Sequence, residues 1–130
     1  MPLGTQVAWL LILGAPVACV AWTVTHEELF ADARKMCERL SRTHSNLALR
    51  KFFYLFTCEY CFSHYVAAAA VLASGFQLLV TGWVGVILAW FAVVWVANIY
   101  MSFFGRLRLD IKRERVEVAV EEQKAAARVS

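Results

Sequence analysis

The stretch that decides the fold runs from Phe52 to Gly105: FFYLFTCEYCFSHYVAAAAVLASGFQLLVTGWVGVILAWFAVVWVANIYMSFFG. Only one of its side chains, Glu59, carries a formal charge. A helix at the surface of a soluble domain sets charge against apolar residues on every turn. Uncharged apolar runs of 18 residues or more belong instead to lipid-spanning helices. Gly75-Phe76-Gln77 and Thr81-Gly82 divide the stretch, so the sequence predicts a hairpin of two spans, about 53–74 and about 83–104. Each has about 22 residues and would be about 33 Å long as a helix, enough to cross the hydrocarbon. A single helix from 53 to 104 would far exceed one bilayer.

Toward the amino terminus, Met1 to Thr25 contains no charged side chain, which predicts a first span over about 3–24. Trp9 and Trp22 stand near its two ends, where amphipathic rings favour the interface. Pro16 follows Gly14 and Ala15 and predicts a kink. A secretory signal normally opens with Lys or Arg, and this segment has neither. Pro16-Val17-Ala18-Cys19 is likewise a poor lipoprotein-type cleavage site. The fold class expected is therefore an all-α integral membrane protein with three transmembrane helices, forming a single membrane domain over 1–130.

Composition agrees. Hydrophobic residues make up 61% of the 130, against about 45–50% in soluble domains, and the mean hydropathy is +0.58. The 13 Lys and Arg fall into two blocks, six in Arg34–Lys51 and seven in Arg106–Arg128. With three crossings these blocks share one side, which the positive-inside rule makes cytoplasmic. The amino terminus is then outside and the carboxyl terminus inside, as expected for a multi-pass protein of a bacterial inner membrane. The net charge of +3 does not signal nucleic acid. Acidic residues are mixed into both blocks, no basic-aromatic stacking pattern occurs, and anionic lipid accounts for juxtamembrane cations.

Between the first two spans, residues 26–42 predict an amphipathic cytoplasmic helix. Thr25 and Glu28 are spaced as a capping box. Leu29, Phe30, Ala33, Met36, Cys37 and Leu40 form one apolar stripe opposite Asp32, Arg34, Lys35, Glu38 and Arg39. Such a helix lies on the leaflet, docks on a partner, or packs on its own protein. The charged tail, 105–130, gives two signals. Leu107, Leu109 and Ile111 alternate as a strand does, as do Val116, Val118 and Val120. Yet the tail continues a helix and is rich in Ala, Glu, Gln and Lys, and helix is the expectation.

The chemistry-bearing residues are few. Thr57-Cys58-Glu59-Tyr60-Cys61-Phe62-Ser63-His64 offers C-x-x-C followed by a histidine. On a continuous helix Cys58, Cys61 and His64 share one face, and thiolate and imidazole suit zinc or copper. Cys19 and Cys37 fall at similar depth or nearby and are further candidate ligands. Three readings of the cysteines stay open: small packed side chains, a metal site, or a redox dithiol. A permanent structural disulfide is disfavoured on the cytoplasmic side. His64, ionisable within a span, is also a candidate axial ligand for haem or a chlorin pigment. Glu59 can reach Arg50 or Lys51, or extend toward the headgroups. Ser63, Ala67, Ala70 and Ser74 form a small-residue ridge suited to close helix packing, with Ala69 and Ala73 beside it. Trp90, Trp95 and Asn98 stand deep in the third span and imply contact with protein or a cofactor.

Leu55-Phe56-Thr57-Cys58-Glu59-Tyr60-Cys61, followed by an aromatic residue and a hydrophobic span, resembles a family of small bacterial membrane proteins with Leu-x-Thr-Cys-x-x-Cys at the start of a span. That family is classed as a domain of unknown function. The resemblance covers about residues 50–105. Glu59 replaces the family's usual Pro, and Tyr65 stands where Trp is common. It implies a bacterial membrane protein and no activity.

No phosphate loop, nucleophile elbow, metalloprotease helix or carboxylate pair occurs. The expected function is a non-enzymatic accessory or assembly subunit of a larger bacterial membrane complex, with lipid and membrane-protein partners or further copies of itself. The alternatives are a phage holin-like pore former and a metal-handling or thiol-redox protein acting through Cys58, Cys61 and His64.

Overall fold

Alternating runs of apolar and charged residues become helices and little else. The computed structural model describes all of residues 1–130, and no strand forms. The helices are α1 (Leu3–His26), α2 (Ala31–Thr43), α3 (Leu47–Tyr54), α4 (Glu59–Ser74) and α5 (Trp83–Val129), with one 3-10 turn at Glu28–Phe30. Two helices, α1 and α5, are long and apolar enough to cross a membrane, and α3 with α4 makes a third if that bent pair is one span.

α1, α4 and α5 pack as an antiparallel three-helix bundle. At the turn end, the Leu79 N–H donates to Gln6 Oε1 at 2.7 Å, and Trp9 stacks on Phe76 with ring centroids 6.2 Å apart. At the charged end, His26 Nε2 stands 3.5 Å from Glu59 Oε2, and Arg108 Nη2 stands 3.3 Å from Glu27 Oε1. Small residues line the seam. Gly14, Val17, Ala18, Ala21 and Thr25 are the buried positions of α1. Ser63, Ala67 and Val71 are those of α4, and Gly85, Ala89, Val93, Val94, Ala97 and Met101 those of α5. Steps of three and four keep each set on one face, and small side chains let backbones approach in lipid. At Gly14 an added Cβ would stand 2.5 Å from Val96 Cγ1. The Trp90 indole donates to His64 O at 2.7 Å, and the Asn98 amide donates to Ser63 Oγ at 3.1 Å. Trp90 and Asn98 thus find their partners inside the chain, while Trp95 points outward. α1 runs through Pro16 without a break.

Only 15 of the 130 residues are buried, and the accessible surface is 9295 Å². A folded soluble monomer of this mass would expose about 6,900 Å². The excess includes Trp83, Phe91, Trp95, Leu72 and Phe103, all exposed around the bundle.

The structure corrects three expectations. The second apolar segment is not one helix from 53 to 74, because α3 ends at Tyr54 and α4 starts at Glu59 with an 85° bend between them. Thr25 does not cap a new helix. It lies within α1 and its hydroxyl donates to Ala21 O at 2.7 Å, so the capping box with Glu28 does not form. The amphipathic helix accordingly starts at Ala31, after the 3-10 turn. The tail, by contrast, takes the helix expected of it, and α5 continues without interruption from Trp83 to Val129.

Two uncovered elements complete the molecule. α2 has no buried residue, so Met36 of its apolar stripe stays exposed, as does Leu29 in the 3-10 turn before it. α5 runs about 36 Å beyond Gly105, and every residue of that extension is exposed.

Candidate functional site

The C-x-x-C motif sits at the elbow between α3 and α4, where the local fold explains it. The break at Leu55–Cys58 contains neither Pro nor Gly. Instead, Thr57 Oγ1 donates to Tyr54 O at 2.7 Å, and Phe52, Phe53, Phe56 and Phe62 pack edge to face or tilted against one another. Cys58 then adopts extended backbone, φ −109° and ψ 110°, as the N-cap of α4. Its Sγ accepts the Cys61 N–H at 3.4 Å. Cys58 and Cys61 are therefore N-cap and third helical residue, the pairing a capping serine makes with an otherwise orphaned donor. Glu59, in the first turn, places negative charge at the positive end of the α4 dipole.

All four cysteines are free thiols. Cys58 and Cys61 are brought together half-buried, whereas Cys19 is exposed on α1 and Cys37 lies on α2. Cys58 precedes α4 and so does not share a helix face with His64. The imidazole Nδ1 of His64 is 2.7 Å from Tyr60 O. A carbonyl only accepts, so Nδ1 is the donor there, and Nε2 makes no hydrogen bond within the chain. The ring lies edge-on to Tyr60 and Trp90, with centroids 4.7 and 6.4 Å away. No group of three or more His, Cys, Asp or Glu side chains is placed to hold a metal ion. None of the principal grooves borders His64.

The predicted packing ridge splits. Ser63 and Ala67 are fully buried within the bundle, Ala70 is half-buried against the core, and Ser74 is exposed. The Ser74 hydroxyl accepts the Phe76 N–H at 3.3 Å and so helps the chain leave α4 through Gly75, whose φ is +67°.

A second polar cluster lies at the charged end of the bundle. Glu27 Oε1 accepts from Trp22 Nε1 at 3.1 Å and from Arg108 Nη2 at 3.3 Å. Trp22 stacks on His26 with centroids 4.0 Å apart and meets Phe104 edge-on at 5.0 Å. Arg34 Nη1 donates to Glu27 O at 2.6 Å and Val24 O at 3.0 Å, supplying hydrogen bonds to carbonyls where α1 ends. One glutamate and two arginines thus join α1, α2 and α5. Sequence reasoning did not find this cluster, because Arg108 lies 81 residues beyond Glu27 and the three residues belong to no spacing motif. The one available signal was the amphipathic Trp22 five residues before Glu27. The arrangement ties helices together and borders two grooves, one of about 350 Å³ that Glu27 lines with Cys19 and one of about 310 Å³ that it lines with His26 and Arg108.

No protein-family model, no curated protein and no solved structure matches this chain.

Proposed function

We propose that the chain is a three-span bacterial inner-membrane protein, amino terminus outside and carboxyl terminus inside, acting as a non-enzymatic subunit that assembles with other membrane proteins or copies of itself. The observation that carries this reading is the extension of α5. In a strand, the alternation of Leu107, Leu109 and Ile111 and of Val116, Val118 and Val120 would expose one apolar face. At 100° per residue on a helix it produces two opposite stripes. Leu107, Ile111 and Val118 form one, and Leu109, Val116 and Val120 the other. All six are 41 to 66% exposed. Contiguous apolar surface of this kind marks an interaction site, and isolated helices in water draw most of their stability from packing an apolar face. The extension therefore calls for neighbours on both sides. Exposed Met36 on α2 and Leu29 in the turn before it suit the leaflet or the same neighbours.

The test compares the full-length protein, extracted in mild detergent, with V116E/V120E and with a truncation after Gly105. The intact chain is expected to elute as an assembly. Both variants should keep the far-ultraviolet helix signal per remaining helical residue and elute as smaller species. A full-length protein that elutes as a monomer, or variants that leave the assembly unchanged, would overturn the reading. Abrupt growth arrest with ion leakage on expression would favour the holin alternative instead.

One observation favours a second reading. Cys58 and Cys61 are free, adjacent and half-buried at the elbow, which suits a thiol-redox role. C58S/C61S leaves a capping hydroxyl in place, so loss of cellular function in that variant at undiminished stability would support thiol chemistry over capping.

A further inference from the structure

We propose that the elbow between α2 and α3 binds the phosphodiester headgroup of an anionic phospholipid such as phosphatidylglycerol. An open groove of about 690 Å³ lies there, bordered by Arg42, Arg50, Lys51 and Tyr54, with Ser41, Thr57 and Glu38 at its rim. Its charges are unbalanced. Glu38, the only carboxylate present, is committed to Arg42 at 2.7 Å. Neither Arg50 nor Lys51 pairs with any carboxylate in the chain. Arg50 Nε is buried and has no hydrogen-bond partner. The chain supplies that nitrogen no acceptor, and a buried guanidinium nitrogen left unpaired is unfavourable. A phosphodiester suits the cations of this groove, because its oxygens match the planar guanidinium fork.

The hydroxyls narrow the choice. Ser41 Oγ donates to Glu38 O and Thr57 Oγ1 donates to Tyr54 O, each at 2.7 Å. Their protons are used, and their oxygens are left to accept from a headgroup hydroxyl. The net charge of the groove, three cations against one anion, attracts an anionic headgroup and repels the ammonium of a zwitterionic one. The surroundings favour lipid over a soluble phosphate. Phe52, Leu47 and Leu49 on α3 are exposed, and Leu47 lines the groove itself. α3 turns 85° from α4. If α4 crosses the bilayer, α3 lies along its surface and places the cations at headgroup depth with apolar side chains toward the acyl region. This last step alone rests on the proposed topology.

The test uses delipidated full-length protein in detergent, so it does not depend on topology. Native mass spectrometry counts bound lipid after addition of phosphatidylglycerol or phosphatidylcholine. Phosphatidylglycerol is expected to be retained at least about tenfold more than phosphatidylcholine. R50Q/K51Q should lose that preference, whereas R113Q/R115Q, which removes the same charge from the α5 extension, should keep it. K51Q alone, at an exposed position, guards against misfolding of the double variant and should weaken retention severalfold. Equal retention of the two lipids, equal loss in both double variants, or displacement by millimolar inorganic phosphate would each overturn the proposal, the last by identifying a site for free anions.

Discussion

Cys58 draws two explanations from one geometry, and substitution separates them. Its sulfur takes the place of a capping oxygen on the Cys61 N–H at 3.4 Å. Sulfur is a weak acceptor, and serine is a strong capping residue. C58S should therefore hold or slightly raise the stability of the bundle. C58A should lower it, by less than the about 0.5–2 kcal/mol that loss of an oxygen cap costs. Denaturation followed by circular dichroism in detergent reads both. If C58A matches the native protein, the thiol contributes nothing as a cap and the chemical readings gain. The same residue shows what the sequence could and could not reveal. C-x-x-C reads as ligand or redox spacing because cysteine lies outside the usual capping alphabet of Ser, Thr, Asp and Asn. Thr25 misleads in the opposite way. It has the right type and spacing for a capping box with Glu28, but its hydroxyl turns back to Ala21 O within α1. His64 is similar. Its place in an apolar segment was legible, while the bond from Nδ1 to Tyr60 O was not.

Among the elements, the apolar runs of α1 and of the first half of α5 were plain in the sequence, because transfer of charge into hydrocarbon is so unfavourable that composition alone marks them. The elbow was not, since no Pro or Gly announces it and it is set by packed phenylalanines and a capping thiol. Nor was the face that α1 turns to α5. The sequence drew attention to the ridge on α4, yet α1 meets α5 closely at Gly14, where a Cβ would stand 2.5 Å from Val96 Cγ1 and 3.1 Å from the Tyr100 ring. Both neighbours belong to α5, and α1 also anchors the Tyr100 hydroxyl, which donates to Leu11 O at 2.9 Å. Overpacking a fitted seam destabilises by about 1–3 kcal/mol, so G14V should lower the midpoint of unfolding accordingly. G4V, at a position with open space around it, should leave the midpoint unchanged. Equal effects of the two substitutions would mean that α1 does not pack on α5 through Gly14.

Taken whole, the molecule has one end without Lys or Arg and one end that carries all 13. The bundle gathers them by folding. Glu27 at the end of α1 meets Arg108 of α5, and His26 meets Glu59 at the start of α4, so Arg42 and Arg113 project from the same end while Leu79 lies at the other. In water this division would have no consequence. Across a bilayer it specifies topology, because moving the turn 75–82 through hydrocarbon requires no charged side chain to be desolvated, whereas moving either basic block requires several. The proposed orientation therefore predicts the outcome of site-directed labelling in intact cells. In a cysteine-free background, L79C should react with a membrane-impermeant maleimide added outside. R42C and R113C should react only after the membrane is opened. Labelling of R42C and R113C from opposite sides would mean that α3 and α4 do not form a crossing, leaving the two spans of α1 and α5. Labelling of all three from outside would mean that the bundle sits on the surface without crossing at all. The bend at the elbow makes the first of these the sharper trial. α4 has 16 residues and spans only about 24 Å, so it needs the elbow residues Leu55–Cys58 and the turn at Gly75 to reach both interfaces of a hydrocarbon core about 30 Å thick.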